Sequence, residues 1–424
     1  MKAAVARKPL LHLAANDRLG VVPGAVMIPT SLADVPGVFH ASVRSPFGPS
    51  GGVGWSADEA KTAAIGEALE RYAAATHALP AFNPPEGIEC YKPNRFTLFS
   101  ETQLDGLPMS RAQCQRNMVP VFVAGKRLHD EAVVAVPRAL VSLSDPDGEG
   151  VVTSNGLAAG PSLELATLRG LQEVIERDAL MVAWLHGISC PTLELPLYLS
   201  ERLAGLGADV IAVDLTPEYS PWPVVAVCGS VAWRGRARVG MGAACRATSE
   251  AALEKAFLEW TQATVFVGVQ MSMGTMRTYD DAAAVVAFDD HALYYSARPD
   301  EWARVPFTKR RPVSASDRIL EVSDNAGTPV SSRAGFTRGE EGEMGLAVDH
   351  LRAAGLDTLV VDLTTDELSS VGVRAVRVLV PGLVPVNSDH KWPFLGGTAS
   401  DWAFRFPKLS PSVAFPSPFP HPLG

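Results

Sequence analysis

The sequence predicts a mixed α/β (α+β) protein in which repeated helix-on-sheet units surround one nucleotide site. Three observations carry that expectation. A carboxylate-bearing helical segment is written three times at matching offsets, and strand-like apolar runs stand between the copies. Hydrophobic residues make up 47% of the 424, ample for a large core on which helices pack against sheets.

The first helical segment runs from Ala57 to Ala75. Ser56 followed by Glu59 is a capping-box pattern, which satisfies free amides at a helix start. Ile65, Leu69 and Tyr72 recur at three- and four-residue steps, and Gly66 is the only glycine. Positions i, i+3 and i+4 share a helix face, so Glu67, Glu70 and Arg71 project together. The second segment, Ser162 to Trp184, repeats the word as Glu173, Glu176 and Arg177, 106 positions on. The third, Ser249 to Val267, carries Glu259 and Gln262 in the glutamate places, 192 positions after the first. Ser56, Ser162 and Thr248 fall at equivalent offsets, as do Asp58, Glu164 and Glu250, and Ala60, Ala166 and Ala252.

A glycine-rich approach precedes each helix: Gly51-Gly52-Val53-Gly54, Ser154 to Gly160, and Gly240-Met241-Gly242. Glycine lets backbone come close to a ligand, and a helix start offers free N–H groups to an anion. Glutamates with no nearby His or Cys suit Mg²⁺ rather than Zn²⁺, and Mg²⁺ bridges readily to phosphates. Arginine beside them holds phosphate through its fork of donors. Together these residues point to a Mg–nucleotide site. One such word is usually a solvated helix face, and duplication without a site stays open at this point.

The strand-like runs are Val119–Val123, Ala132–Leu143, Val210–Leu215, Val224–Val231 and Thr358–Val361, with a helix at about Glu341 to Ala354. Asp145 to Gly148 reads as a turn, and Pro80–Pro93 and Ala297–Ser314 as loop-rich insertions. Residues 1–40 read as an irregular N-terminal segment and 41–424 as one catalytic domain, ending in a Pro-rich tail over 411–424.

The same residues resemble a known family. GGVGWSADEAKTAAIGEALERYAAA, Gly51 to Ala75, is similar to the first motif of the YcaO superfamily. SNGLAAGPSLELATLRGLQEVIERDALMVAW, Ser154 to Trp184, resembles the second, and ATSEAALEKAFLEWTQA, Ala247 to Ala263, the third. VVDLTTDELSSVGVRAVRVLVPGLVP, Val360 to Pro385, is similar to the family's closing strand–loop–strand. PSPFPHPLG resembles the proline-rich terminus of its azoline-forming members. The resemblance spans about residue 40 to the end.

The resemblance implies an ATP-dependent cyclodehydratase of ribosomal precursor peptides. A Cys, Ser or Thr side chain attacks the preceding amide carbonyl, and the γ-phosphoryl of ATP goes to the amide oxygen. Phosphate then departs and leaves a thiazoline or oxazoline. It implies that Glu67, Glu70, Glu173, Glu176 and Glu259 bind Mg²⁺ or organise its shell. Arg71 and Arg177 would meet phosphate or fix the glutamates. Lys255, Gln262, Asn155 and Glu164 stand at nucleotide-binding motif positions. The sequence departs from the pattern at Ala63, Pro161, Ala263 and Thr264, which bears on single nucleotide contacts and leaves the carboxylates intact. Thioamide or amidine formation by the same ATP chemistry, and a non-catalytic scaffold, are the alternatives. An E1-like domain is not expected in front, so a separate leader-peptide-binding, E1-like partner is expected, along with a homo-oligomeric state.

The alternating Pro416, Pro418, Pro420 and Pro422 favour an extended chain, either a disordered end or a segment that enters the site. A P-loop pattern is absent. Gly52 to Ala57 formally matches a dinucleotide loop, but the preceding RSPFGPSG does not read as a buried strand. The five cysteines lack Cys-x-x-Cys spacing and suit a reducing cytoplasm. His186 and His421 read as structural. A net charge of −9 argues against nucleic acid and anionic membrane surfaces, and no apolar run is long enough to span a bilayer.

Overall fold

The computed structural model describes residues 10–108, 115–116, 120–144, 153–309 and 340–424. Its strands, in chain order, are β1 (Val26–Ile28), β2 (Phe39–Ser45), β3 (Gly48–Gly54), β4 (Phe122–Arg127), β5 (Val133–Pro137) and β6 (Leu157–Gly160). There follow β7 (Thr192–Leu193), β8 (Asp209–Asp214), β9 (Val224–Trp233), β10 (Arg236–Cys245), β11 (Leu359–Asp362) and β12 (Arg374–Leu379). The helices of ten residues or more are α1 (Ala57–Thr76), α2 (Leu163–Leu185), α3 (Ser249–Met273), α4 (Phe288–Ala297) and α5 (Glu340–Ala353). Three antiparallel sheets result, ordered β1-β2-β3, β10-β9-β8-β7 and β5-β4-β11-β12-β6.

The repeat is a strand, a hydroxyl cap and a helix. β3 leads to Ser56 and α1, β6 to Ser162 and α2, and β10 to Thr248 and α3. The cap oxygens accept the amides of Glu59, Leu165 and Ala251 at 3.1–3.2 Å. The Glu59 carboxylate reaches one residue further back than a capping box requires, accepting from the Trp55 amide at 2.8 Å. Each helix therefore springs from a different sheet.

Packing then brings the three helices together. α1 buries Ala60, Ala64, Ala68 and Leu69 against β2 and β3, and also touches β6 of the second unit. α2 is the central element, buried along most of its length between β12 and β10. α3 lays Ala252, Ala256, Phe257 and Trp260 on β9 and β10, and meets β3 of the first unit. The Trp55 indole donates to Glu254 of α3, tying first unit to third.

The glycine runs prove to be strands rather than ligand-approach loops. A Cβ on Gly52 would lie 2.1 Å from the Ala60 carbonyl oxygen, and one on Gly242 would lie 2.3 Å from that of Ala256. Bare Cα atoms let the helices settle onto the strand backbone. RSPFGPSG likewise forms the turn and start of the β2–β3 hairpin. That hairpin is antiparallel, which still excludes the parallel βα geometry of a dinucleotide fold.

Other boundaries moved. The run Ala132–Leu143 is a strand only over β5, because Pro137 removes a ladder donor and Arg138–Leu140 turn into a 3₁₀ helix. The fourth strand starts at Phe122, and Val119 lies outside the described residues, as does the Asp145–Gly148 turn. The N-terminal segment contributes β1 to the first sheet. The later helix and strand sit within a residue of their predicted bounds, as α5 and β11.

Candidate active site

Each of the three helices presents its acids toward a common centre. On α1, Glu67 accepts from the Gly51 amide at 2.8 Å and pairs with Arg71 at 2.7 Å. Glu70 accepts from the Ala159 amide of β6 at 2.9 Å, so the second unit's strand holds the first unit's acid. On α2, the Arg177 Nε lies 3.3 Å from Glu176 and 3.8 Å from Glu173. On α3, Lys255 pairs with Glu259 at 3.1 Å. The Gln262 side chain reaches over to β3, where a Cβ on Gly51 would lie 2.4 Å from its Nε2.

Electrostatics show that these groups share one space. Burial raises the Glu70 carboxyl well above its usual range, and Glu173 and Glu67 push it further. Burial likewise takes Glu173 up to about 7, opposed by Arg177 and Arg377 and reinforced by Glu259 and Glu67. Glu176 is raised by burial against the pull of Arg177, with Glu259 and Glu173 adding to the rise. Glu67, Glu173 and Glu259 nevertheless keep 34%, 26% and 28% of their side-chain surface open. Three of these crowded acids thus remain reachable from solvent.

The residues fit a metal-bound phosphate. Every anionic donor is a carboxylate oxygen, the ligand class of Mg²⁺. The mutual repulsion of buried acids is what a cation relieves. Among the described residues no three His, Cys, Asp or Glu side chains form a ready-made metal cage.

Not every sequence candidate joins the cluster. Glu164 sits in the first turn of α2, as Asp58 and Glu250 do on α1 and α3. There it complements the helix dipole. Nine residues separate it from Glu173, roughly 13 Å along the helix, and no hydrogen bond or ion pair of the described residues brings it to the acids. Asn155 is buried and lines a cavity of about 60 Å³ together with Arg177. Two site residues escaped the sequence reading. Arg377 of β12 lines that cavity and faces Glu173, and Arg246, just past β10, exerts its charge on Glu176. Arg377 carried a usable signal, a charge inside the apolar run Ala375 to Val380.

Comparison with known proteins bears on this geometry. A family model described as YcaO cyclodehydratase, ATP- and Mg²⁺-binding, matches residues 51–384. The chain belongs to the YcaO family. As such it is an ATP-dependent cyclodehydratase whose cofactors are ATP and Mg²⁺. An uncharacterized protein of Methanothermobacter thermautotrophicus is 28% identical over 355 residues, covering 80% of this chain and 82% of that one. Among solved structures, YcaO from Methanopyrus kandleri bound with AMPPCP and Mg²⁺ aligns at a TM-score of 0.61 and 21% identity, covering 93% and 91% of the two chains. A heterocyclase in complex with substrate and cofactor aligns at 0.67 and 20% identity over 96% of this chain, which spans only 56% of that heterocyclase. The E. coli microcin synthetase McbBCD complex aligns at 0.60 and 13% identity, covering 87% and 90%. These likenesses concern the fold.

The Pro-rich tail of this YcaO protein is docked rather than loose. The Trp184 indole and the Tyr295 hydroxyl donate to the carbonyls of Phe419 and Pro420, at 2.7 and 2.6 Å. The His421 ring stacks on His291 at 3.8 Å and bonds the Asn387 carbonyl. His421 is driven well below the usual histidine range, first by burial and then by His291, with Arg177 among the smaller causes. The tail thus comes within electrostatic reach of Arg177. His186 stacks on Phe415 and bonds the Ala399 carbonyl, a packing role. Cys90, Cys228 and Cys245 are free thiols, and Cys114 lies outside the described residues. No described helix is long and apolar enough to cross a membrane.

Proposed function

We propose that this YcaO protein cyclodehydrates a ribosomal precursor peptide, closing Cys, Ser or Thr onto the preceding backbone amide to give an azoline. The observation that carries the proposal is the electrostatic coupling of Glu67, Glu70, Glu173, Glu176 and Glu259, brought together from three helices. ATP with Mg²⁺ supplies the phosphoryl group that turns a poor leaving group, the amide oxygen, into a good one. The chain's own part is positioning and charge. The five glutamates hold the cation, and Arg71 and Arg177 set the glutamate rotamers and face the phosphates. Lys255 does the same for Glu259, and Gln262 and Asn155 offer neutral donors. The tail closes the side of the site beyond α2 and limits water there.

A leader-peptide-binding partner supplied as a separate protein belongs to this proposal. The E. coli microcin synthetase McbBCD complex, solved with pro-MccB17 bound, supports it in kind. The free thiols Cys90, Cys228 and Cys245 fit a reducing, cytoplasmic setting. The test incubates the chain with Mg-ATP, the partner and a co-encoded precursor, then weighs the peptide. Loss of one water per ring with release of ADP and phosphate is the expected result. Replacement of oxygen by sulfur would assign thioamide formation instead, and an unchanged peptide without ATP turnover would leave only a scaffold.

A further inference from the structure

Arg377 is the least explained charge in the molecule. Its β-strand neighbours are apolar, and only 4% of the residue is exposed. Its Nε and Nη1 meet no hydrogen-bond partner among the described residues. A buried guanidinium left in that state costs several kcal/mol unless something answers it. Glu173 attracts it through space but accepts no hydrogen bond from it.

Two further unanswered donors face the same cavity. Asn155 Nδ2 is buried without an acceptor, and Arg177 Nε lacks one despite lying 3.3 Å from Glu176, because the contact is poorly aligned. The remaining walls include Phe96, Leu98 and Phe394, which offer no counter-charge. Arg377 and Asn155 thus hold buried donors without acceptors beside a space of about 60 Å³ whose other walls are largely apolar, and Arg177 adds a second guanidinium to its lining. Buried donors without acceptors in a roomy cavity mark a place where an acceptor-rich ligand is missing. Guanidinium forks match tetrahedral oxyanions bidentately.

We infer that Arg377, Asn155 and Arg177 form a buried oxyanion pocket that takes one phosphate group beside the carboxylate cluster. This deepens the nucleotide reading above and rests on it. Arg177 is common to both, 3.3 Å from Glu176 and part of the cavity lining. The phosphate belongs either to the nucleotide's terminal group or to orthophosphate released in turnover.

The test titrates orthophosphate, AMP, ADP and AMPPNP, each with Mg²⁺, into the full chain and into Arg377→Met, Arg377→Lys and Asn155→Ala. Calorimetry and phosphorus NMR provide the readouts. Binding of orthophosphate by the wild type, weakened at least about tenfold by Arg377→Met and less by Arg377→Lys, is the expected result with orthophosphate as the ligand. If instead only AMPPNP loses affinity in those variants, while ADP and AMP do not, the terminal nucleotide phosphate is the ligand and the pocket stands. Wild-type affinities for all four ligands in folded Arg377→Lys and Asn155→Ala would overturn the inference, whether or not Arg377→Met folds. Loss of ATP turnover in Glu173→Gln alongside that outcome would leave the nucleotide reading intact and refute only the pocket.

Discussion

Glu70 and Glu173 show how the site is poised before a cation arrives. A carboxyl raised from the ordinary 4.5 to about 7 keeps its proton in the native state after the unfolded chain has released it. The native state therefore binds more protons between about pH 4.5 and 7, and stability falls as pH rises through that window. Thermal unfolding in EDTA should show Glu173→Gln gaining stability relative to the wild type as pH rises from 5 to 8; a difference that stays constant with pH would contradict the raised carboxyl. With Mg-ATP present, the same substitution should cut ATP turnover by about a hundredfold or more, the scale of losing a charge that stabilises phosphoryl transfer. The glutamates were legible because their grouping is local, set by i, i+3 and i+4 on one helix. Arg377 and Arg246 were not, because their neighbours come from chain segments hundreds of residues away in the case of Glu173 and Arg377.

At the scale of elements, the glycines of β3 and β10 decide how near the helices come. Gly52→Ala would place a methyl 2.1 Å from the Ala60 carbonyl oxygen, forcing α1 off its strand. Overpacking of this kind costs about 1–3 kcal/mol, and the displaced helix carries Glu67 and Glu70 with it. Gly52→Ala should lower both the unfolding midpoint and nucleotide affinity, measured by calorimetry, whereas Ser162→Ala should cost only about 1 kcal/mol, the worth of one cap. The helices were readable from caps and periodicity. The strands β3, β6 and β10 were not, since Gly and Ala disfavour strands by propensity, and only the helix lying across them rewards a small side chain.

For the whole molecule, α2 is the pin. Asp178, next to Arg177, makes a fully buried pair with Arg405 at 2.8 Å, and also accepts from the Tyr219 hydroxyl and the Val384 amide. Arg405→Met would strand a buried carboxylate, and breaking such a pair costs about 3–5 kcal/mol; chemical denaturation should show that loss. Deleting residues 416–424 would leave the Trp184 and Tyr295 donors without their acceptors. Truncation should lower the unfolding midpoint, and peptide modification should fall further than ATP hydrolysis if the tail shapes the site.

Glu70 is anchored by the Ala159 amide of a neighbouring unit, and Glu67 by the Gly51 amide. A carboxylate oxygen drawn toward a cation gives up the N–H it was accepting. Deuterium uptake at those two backbone positions therefore offers a direct gauge of metal engagement, readable without any peptide substrate.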